Sequence, residues 1–547
     1  MLKHRATTLL IAAAGLLVYI SLGAALTTGD NPRSKLLLLI LQYVVLLPIA
    51  AWLIFGRQKA SDLHFRIPKR LILGLYMAGT ILFSWQVRDG IYNADESAYR
   101  FEASALAIGH LTAPAPPLDS ARLSDFYFLH HIMRDGRWFG KYPLGWPAIL
   151  AIGKVFHGGW LVNPLLGLLL LLLAARIAGI LFDEQTAALT IAFLVASPFF
   201  FFNCVGYLSH VACGVLVAGA FLLFLLFEKS GRLAWFGLMM LLIALACQVR
   251  PYTGALEGLL IGCAGLWAAR GVRSRFFAAL AISVVAAAGT GGVTLLYNYA
   301  LTGHPWLSPY ALYSHSRIPT EIALSLPRIL DNLVSATRMG SGKMLLHCFP
   351  FVFLLAAYGL VREGKRGVLL AALMGILVLG YLVQSDRSDS LVGERYYFEG
   401  YWAIAILAAR GCFWVARMRA LNAYRVALAS VVLLCVQAFL YGYLTRTILI
   451  LKRPSAEIVE TAPKLGLGNA VIFLHASAEL RPNNFNPNSA RWRQEPLIYL
   501  PDPGPARRQI VTLALGRQRW AVLTCRDPAI MPLTATDCPV RVLEESR

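Results

Sequence analysis

The stretch Asn93–Pro117, NADESAYRFEASALAIGHLTAPAPP, decides the fold because it is a polar interruption in a strongly apolar sequence. Of the 547 residues, 58% are hydrophobic and only 14% are charged, whereas soluble domains carry about 25% charged residues. Apolar segments before and after the stretch reach the roughly 20 residues that a membrane-spanning helix needs. The sequence therefore predicts an all-α polytopic membrane protein.

The apolar segments predict about thirteen spanning helices. They lie at 7–27, 36–55, 71–88, 160–182, 186–204, 207–227, 233–250, 253–269, 276–297, 346–361, 368–384, 400–417 and 424–446. The first resembles a signal peptide, but its apolar run is long for one, so an uncleaved span is expected.

Basic residues set the predicted orientation, because cytoplasmic loops are enriched in Lys and Arg. The loop GRQKASDLHFRIPKR (56–70) is strongly basic and is expected inside. This places the N-terminus in the cytoplasm, and the odd number of spans places the C-terminus outside a bacterial inner membrane. The net charge of +21 follows from these loops. Nucleic-acid binding is not expected, because the basic segments lack interleaved aromatic residues.

Three parts of the chain are predicted. Residues 1–70 hold the first spans and the basic loop, and residues 71–449 form a transmembrane catalytic module with outer loops at 89–159 and 298–345. Residues 450–547 change composition and contain AVIFLH, PLIYL and WAVLTC, short apolar runs typical of strands. They are expected to form a small extracytoplasmic α/β domain.

The first outer loop predicts a short amphipathic helix that lies in the membrane interface. Asn93 is a natural N-cap, and Glu96 lies where a capping box places its acid. Asp95 and Glu96 also favour the positive end of the helix dipole. Helix capping alone therefore explains both acids. The segment PLGWPAILAIGKVFHGG (143–159) predicts a second interfacial helix.

The spacing of the first helix separates two faces. Ala98, Phe101, Ala105 and Ile108 form an apolar stripe, and a second face carries Asp95, Tyr99 and Glu102.

Charged residues also recur at predicted outer ends of spans, where a charge is costly unless it has a partner or a task. The clearest are Lys141 in WFGKYPLGWP, Arg250 in CQVRPYTGALEG, and Glu394 and Arg395, followed by Tyr396, in VGERYYFEGYW. Acids and bases on one membrane face indicate a site for an anionic lipid head group.

These features resemble the GT-C superfamily of integral-membrane glycosyltransferases, on the branch of lipid A aminoarabinose transferases and protein O-mannosyltransferases. The resemblance rests on the Asp-Glu pair that opens an interfacial helix after a span. It also rests on an aromatic-x-Lys-x-Pro-Leu element, here Phe139, Lys141, Pro143 and Leu144, with Trp146 displaced by one place. It covers residues 71 to about 420.

The resemblance implies a polyprenyl-phosphate-sugar donor, a lipid, glycan or protein acceptor reached from the outer face, and inversion at the anomeric carbon. It implies Asp95, with Glu96 beside it, as the catalytic carboxylate, and Lys141 and Arg250 as donor-phosphate ligands, with Arg395 as a third cation. Tyr99, Glu102, His210, Glu394 and Tyr396 are expected to contact substrate.

Two departures from the family pattern stand out. Gly140 occupies the place of a frequent Glu, and Ser209 and His210 follow the span near 204, where many relatives place a second acid. His210 is open to three roles: a metal ligand, a second base or a hydrogen-bonded interface residue. Because phosphate is a good leaving group, no general acid is demanded, and a divalent metal is possible but not expected.

Three other classes stay open. A lipid-linked oligosaccharide transporter or flippase suits the many spans, although charged residues at span ends do not favour it. An O-antigen ligase or polymerase would use similar lipids, with a long late outer loop. A membrane scaffold would leave Lys141 and Arg250 unexplained.

Overall fold

The computed structural model of the chain describes residues 68–91, 93–117, 128–317, 352–383, 393–418, 423–477, 480–525 and 540–546, with isolated positions between them. The predicted spans at 7–27 and 36–55 lie outside the described residues. Elements are numbered along the chain.

The α-helices are α1 (Lys69–Gln86), α2 (Ala94–Leu106), α3 (Gly145–Val155), α4 (Val162–Leu181), α5 (Glu184–Val195), α6 (Pro198–Asn203), α7 (His210–Ser230), α8 (Leu233–Val249), α9 (Pro251–Ala269), α10 (Arg273–Thr302), α11 (Pro309–Arg317), α12 (Val352–Tyr381), α13 (Phe398–Met418), α14 (Ala423–Thr461) and α15 (Pro505–Ala514). The predominance of helix confirms the predicted all-α character of the membrane-embedded part. Both helices predicted for the first outer loop are present as α2 and α3, and their place in the membrane interface stays a prediction.

Among the described residues, four helical segments are long and apolar enough to cross a membrane. They are Gly159–Leu181, His210–Ser230, Arg273–Thr302 and Val352–Tyr381. Several other predicted spans coincide with shorter apolar helices, so the count of thirteen stays a prediction.

The predicted span at 186–204 is not one helix, which corrects the sequence-based expectation. Helix α5 ends at Val195 and α6 begins at Pro198. Proline cannot donate the backbone hydrogen bond that would continue α5 through this point. The predicted spans 346–361 and 368–384 both fall on α12. The helical path of α12 is interrupted between them, at Gly364 (φ 57°, ψ −130°).

The chain divides into two compact units. Unit 1 comprises residues 1–77, 168–203 and 321–445, and unit 2 comprises 78–167, 204–320 and 446–547. In unit 1, Arg410 donates from Nε to Glu363 (2.6 Å) and from Nη1 to Asp183 (3.1 Å), which ties α13 to α12 and to the start of α5.

Unit 2 contains two sheets. The smaller one, in the first outer loop, has the order β1-β3-β2, where β1 is Ala113–Pro114, β2 is His131–Arg134 and β3 is Arg137–Gly140, all antiparallel. The larger one has the order β7-β6-β8-β9, where β6 is Ala470–Leu474, β7 is Leu497–Pro501, β8 is Arg519–Cys525 and β9 is Val540–Glu545. The three strands predicted from AVIFLH, PLIYL and WAVLTC are β6, β7 and β8. In unit 1, a two-stranded pairing joins β4 (Asp389–Ser390) to β5 (Gly393–Glu394).

Strand β6 is parallel to both β7 and β8, and β9 is antiparallel to β8. All five residues of β6 are buried, which accounts for a continuous apolar run in place of alternation. One face of the sheet packs through Val471 and Phe473 on Phe101 of α2 and Trp138 of β3. The opposite face packs on Ile458, near the end of α14.

Candidate active site

Helix α2 begins after the N-cap that its sequence predicts. The Asn93 side chain accepts a hydrogen bond from the backbone N–H of Glu96 at 2.9 Å, which confirms the predicted N-cap. At the other end, Gly109 adopts φ 80° and the N–H of His110 donates to the carbonyl of Ala105 at 3.0 Å. A glycine in this left-handed conformation is a common end to a helix.

The carboxylate of Glu96 is buried, with 3% of the residue exposed, and Lys452 Nζ donates to both of its oxygens at 2.9 Å. The backbone N–H of Tyr207 donates to the same carboxylate at 3.3 Å. Gly206, at φ 95°, passes so close that a side chain there would meet Glu96 and Lys452. Glu96 therefore joins α2 to α14 and to the segment before α7.

Two serines of α2 bind the segment between β6 and β7. The N–H of Asn486 donates to Ser97 Oγ at 2.9 Å, and the N–H of Ala490 donates to Ser104 Oγ at 2.8 Å. Phe101 packs at 4.4 Å between ring centroids on Trp138. Burying each such aromatic side chain contributes about 1.5–3 kcal/mol. Ala98, Phe101 and Ala105 of its apolar stripe are buried. The other face of α2, with Asp95, Tyr99 and Glu102, meets the residues around Tyr142.

Asp95 lies in the first turn of α2, where its Oδ1 accepts a hydrogen bond from the hydroxyl of Tyr142. His130 Nδ1 lies 2.9 Å from the same carboxylate oxygen and 2.9 Å from the Tyr142 hydroxyl. The Asp95 side chain is 14% exposed. The carboxylate thus has a fixed orientation and retains a small opening to its surroundings.

His130 is a site residue that the sequence analysis did not identify. Its backbone has φ 66°, a conformation that is uncommon for residues other than glycine. Its ring packs edge to face on Tyr313 of α11, with centroids 5.6 Å apart. Residues held in such conformations cluster at functional sites. The adjacent pair His130–His131 before the Lys141 element was the available signal.

Lys141 is 7% exposed and lies among three tyrosine rings. Its Nζ is 4.5 Å from the ring centroid of Tyr310, 4.9 Å from that of Tyr313 and 5.4 Å from that of Tyr142. Aromatic faces attract a cation electrostatically, and the attraction is stronger away from water. Tyr142 therefore lies between the Lys141 ammonium and the Asp95 carboxylate and contacts both.

Arg250 belongs to the same side-chain network. Its Nη1 lies 3.3 Å from Ser209 Oγ and 3.4 Å from His210 Nε2, and its Nε donates to Thr253 at 3.3 Å. Ser209 Oγ is in turn 3.2 Å from the hydroxyl of Tyr99.

The ring of Tyr99 is packed at 4.2 Å on that of Tyr142. The network therefore runs from Asp95 through Tyr142, Tyr99 and Ser209 to Arg250 and His210.

Glu102 is buried against Gly140. A Cβ at position 140 would collide with the Glu102 carboxyl, so the absence of a side chain at Gly140 leaves the space that Glu102 fills. The N–H of Tyr142 donates to Glu102 Oε1 at 3.1 Å, and Oε2 has no hydrogen-bond partner among the described residues. Burial raises the pKa of Glu102 well above its usual value, against the smaller effect of the Tyr142 hydrogen bond. Burial therefore favours the neutral form of this carboxyl.

His131 points away from this network into the core of unit 2. Its Nδ1 lies 3.0 Å from the carbonyl of Leu129, and its Nε2 lies 3.2 Å from Asn486 Nδ2. Burial lowers its pKa to about 3, so the ring is neutral. Within the described ranges, no three His, Cys, Asp or Glu side chains converge so as to hold a metal ion.

Six of the predicted site residues therefore share one network in unit 2: Asp95, Tyr99, Glu102, Lys141, His210 and Arg250. Glu394, Arg395 and Tyr396 belong to unit 1. There the backbone of Glu394 in β5 lies opposite that of Asp389 in β4. The ring of Tyr396 stacks on that of Tyr381, with centroids 4.5 Å apart. Arg395 lies 5.7 Å from the centre of the Tyr396 ring.

At the level of the fold, comparison with solved structures agrees with the resemblance that the sequence predicted. No protein-family model matches the sequence, and comparison with curated sequences finds no match either.

Among solved structures, the chain is similar to ArnT from Cupriavidus metallidurans bound to undecaprenyl phosphate, with a TM-score of 0.50 and 14% identity over 83% of this chain and 93% of that chain. The archaeal oligosaccharyltransferase AglB from Archaeoglobus fulgidus, in complex with an inhibitory peptide and a dolichol-phosphate, gives a TM-score of 0.41 at 12% identity. That match covers 84% of this chain and 69% of AglB.

Proposed function

We propose that this protein is a membrane glycosyltransferase that moves a sugar from a polyprenyl-phosphate donor to an acceptor hydroxyl on the extracytoplasmic face, with inversion. The observation that carries the proposal is the contact of Tyr142 with both Asp95 and Lys141. A carboxylate and a buried cation held by one side chain suit a reaction that removes a proton and releases an anion. The fold shared with ArnT, whose structure contains undecaprenyl phosphate, supports a lipid-phosphate donor.

In the proposed step, the acceptor oxygen attacks the anomeric carbon on the face opposite the phosphate. The bond from that carbon to the phosphate oxygen breaks, and its electron pair leaves with polyprenyl phosphate. Asp95 accepts the hydroxyl proton, a contribution of roughly 10²–10⁴-fold for a positioned base. The hydrogen bond from Tyr142 orients the carboxylate for this transfer.

Lys141 and Arg250 are proposed to bind the donor phosphate, because fixed cations stabilise the negative charge that develops on the leaving group. The three tyrosine rings around Lys141 hold its ammonium in place. Arg250 is oriented by Ser209 and His210. Arg395, with Glu394 and Tyr396 beside it, lies in unit 1, and its role toward the donor stays a prediction from the sequence.

Glu96 is proposed to act through structure, since both of its oxygens bind Lys452. Its ion pair fixes the first turn of α2, and therefore the place of Asp95. Tyr99, Glu102 and His210 complete the wall of the site.

Mass spectrometry of membrane lipids and surface glycans, with and without the gene, tests the proposal. Loss of one glycan modification with accumulation of its polyprenyl-phosphate sugar is expected. That donor, once identified, is then supplied to the purified full chain. The unmodified glycan or lipid from cells without the gene is added as the acceptor. A transferase then moves the sugar to this acceptor and releases polyprenyl phosphate in detergent, where no membrane separates two compartments, whereas a transporter or flippase leaves the donor intact.

A further inference from the structure

A cavity of about 330 Å³ lies in unit 2, apart from the network around Asp95. Its walls come from the end of α1 and the residues that follow it, from α2 and α3, and from the segment before α7. The lining residues that matter here are Trp85, Arg88, Arg100, Lys154, Trp160 and Tyr207. Asp95, Tyr142, Lys141 and Arg250 are not among its lining residues.

The cavity carries an excess of positive charge. Arg88, Arg100 and Lys154 line it, and Asp89 is the one carboxylate among the lining residues. Asp89 already pairs with Arg88, at 3.1 Å from Nε to Oδ2. Arg100 and Lys154 therefore have no carboxylate to pair with among the residues that line the cavity.

Lys154 is the most exceptional of these cations. No hydrogen bond or ion pair joins its ammonium to another described residue. Burial, together with the charge of Arg100, lowers its pKa to about 8, although Glu495 acts in the opposite direction. A partly buried lysine beside an arginine is costly without an anion, so this cavity has the electrostatics of a site whose ligand is negatively charged.

The apolar rim of the cavity is formed by Trp85 and Trp160. Helix α3 carries further exposed apolar side chains, Ile152 (64%), Val155 (56%) and, just past its end, Phe156 (77%), on the side opposite the lining residues Leu150 and Lys154. Trp85 is 51% exposed and packs edge to face on Trp160, with centroids 5.3 Å apart. Exposed aliphatic residues and paired tryptophans beside basic groups are typical of a membrane interface.

Helix α2 separates this cavity from the candidate active site. Its face with Asp95 and Tyr99 meets Tyr142 and Ser209. Arg100 and Ala103, on another side of the same helix, line the cavity. The guanidinium of Arg100 lies 4.9 Å from the ring centre of Tyr207, which orients it toward the cavity.

We propose that Arg88, Arg100 and Lys154 form a second anion site, which binds the phosphate group of a membrane lipid that enters from the apolar rim. This site is distinct from the proposed donor site at Lys141 and Arg250, and it does not depend on the transferase assignment. Phosphate is favoured because basic groups converging from separate elements can bind several of its oxygens at once. A lipid is favoured over a free ion because the exposed rim would receive acyl chains.

Binding of phosphatidic acid to the purified full chain, followed by native mass spectrometry in detergent, tests this inference. The variants are Lys154→Gln and Arg88→Gln, and the control is Arg491→Gln, which removes an exposed arginine elsewhere in unit 2. Each variant of the pocket should lose about tenfold or more in affinity for phosphatidic acid, since a charge-assisted hydrogen bond contributes about 1.5–3 kcal/mol. The control should bind as the wild type does.

A thermal shift provides the second readout, because Lys154 has no described partner whose loss would unfold the protein. Phosphatidic acid should raise the Tm of the wild type and of Arg491→Gln, but not that of Lys154→Gln. Displacement of the lipid by inorganic phosphate at equal concentration would overturn the lipid as the occupant, because the acyl chains would then add nothing to the affinity. Equal lipid binding by the wild type and both pocket variants, or equal loss in the control, would overturn the proposal.

Discussion

Glu96 and Lys452 lie 356 residues apart in the sequence and form a buried ion pair, with Lys452 Nζ 2.9 Å from both carboxylate oxygens. The pair ties the first turn of the helix that carries Asp95 to the helix that leads into the C-terminal sheet. A buried charge whose partner is removed is strongly destabilising. Glu96→Gln or Lys452→Met alone should therefore cost about 3–5 kcal/mol of stability.

Thermal unfolding of the single and double variants in detergent measures this coupling. Glu96→Gln with Lys452→Met should be more stable than the sum of the single losses predicts, because neither charge is left unpaired. The exposed pair Lys464–Glu460 is the matched control, and Lys464→Met should leave the Tm unchanged. Additive losses at Glu96 and Lys452 would contradict a direct coupling.

Gly140 should not tolerate a side chain. Gly140→Ala places a methyl group against the Glu102 carboxyl, and overpacking of this kind costs about 1–3 kcal/mol. Differential scanning fluorimetry measures the loss. Gly74→Ala is the control, because a Cβ there would meet no described residue outside its own stretch of helix within 4 Å. In a Glu102→Ala background, Gly140→Ala should cost much less, and an unchanged cost would show that Glu102 is not the obstacle.

Glu102 should make stability fall as the pH rises. Its pKa in the folded protein is raised by burial, so the unfolded chain releases this proton at lower pH than the folded chain does. Its favourable contribution to the free energy of unfolding is fully present below the pKa of the unfolded chain, near 4.5. That contribution is lost as the pH rises toward the pKa of Glu102 in the folded protein. The Tm of Glu102→Gln should therefore rise relative to the Tm of the wild type as the pH increases. A constant difference from acidic to basic pH would contradict the neutral buried carboxyl.

Lys141→Ala should weaken binding of polyprenyl phosphate by about tenfold or more, since hydrogen bonds to charged groups contribute about 1.5–3 kcal/mol. The measurement is displacement of a labelled polyprenyl phosphate from the purified protein. Lys464→Ala removes an exposed lysine outside the site and should not change the affinity. Unchanged affinity in Lys141→Ala would remove this residue from the proposed phosphate site.

Much of the local structure could be predicted because local rules govern it. Asn93 caps its helix through its own side chain, and the alternation of apolar and polar positions placed Phe101 in the core and Asp95 on the opposite face. Lys141 and Arg250 could be identified because a charged residue near a membrane span is energetically costly unless it has a partner or a function. The strands β6, β7 and β8 were visible as short apolar runs bounded by turn residues.

The rest depended on contacts between distant parts of the chain. Nothing near Glu96 in the sequence indicates Lys452, and nothing near Gly140 indicates that Glu102 fills its place. His130 and Tyr142 entered the site through the backbone path of the first outer loop, which residue patterns do not specify. The break between α5 and α6 was detectable from Pro198, but the apolar composition of the segment outweighed that signal.

The rate of sugar transfer by the Asp95→Asn variant is the most direct test of Asp95 as the catalytic base. The substitution keeps the size of the side chain and removes the group that accepts the proton, and Asp135→Asn makes the same change on the exposed turn between β2 and β3. With purified full-length protein, its polyprenyl-phosphate-sugar donor and its acceptor, Asp95→Asn should bind donor normally and release polyprenyl phosphate at least roughly 10²-fold more slowly. Asp135→Asn should retain the wild-type rate. Near-normal release by Asp95→Asn would contradict the assignment of Asp95 as the catalytic base.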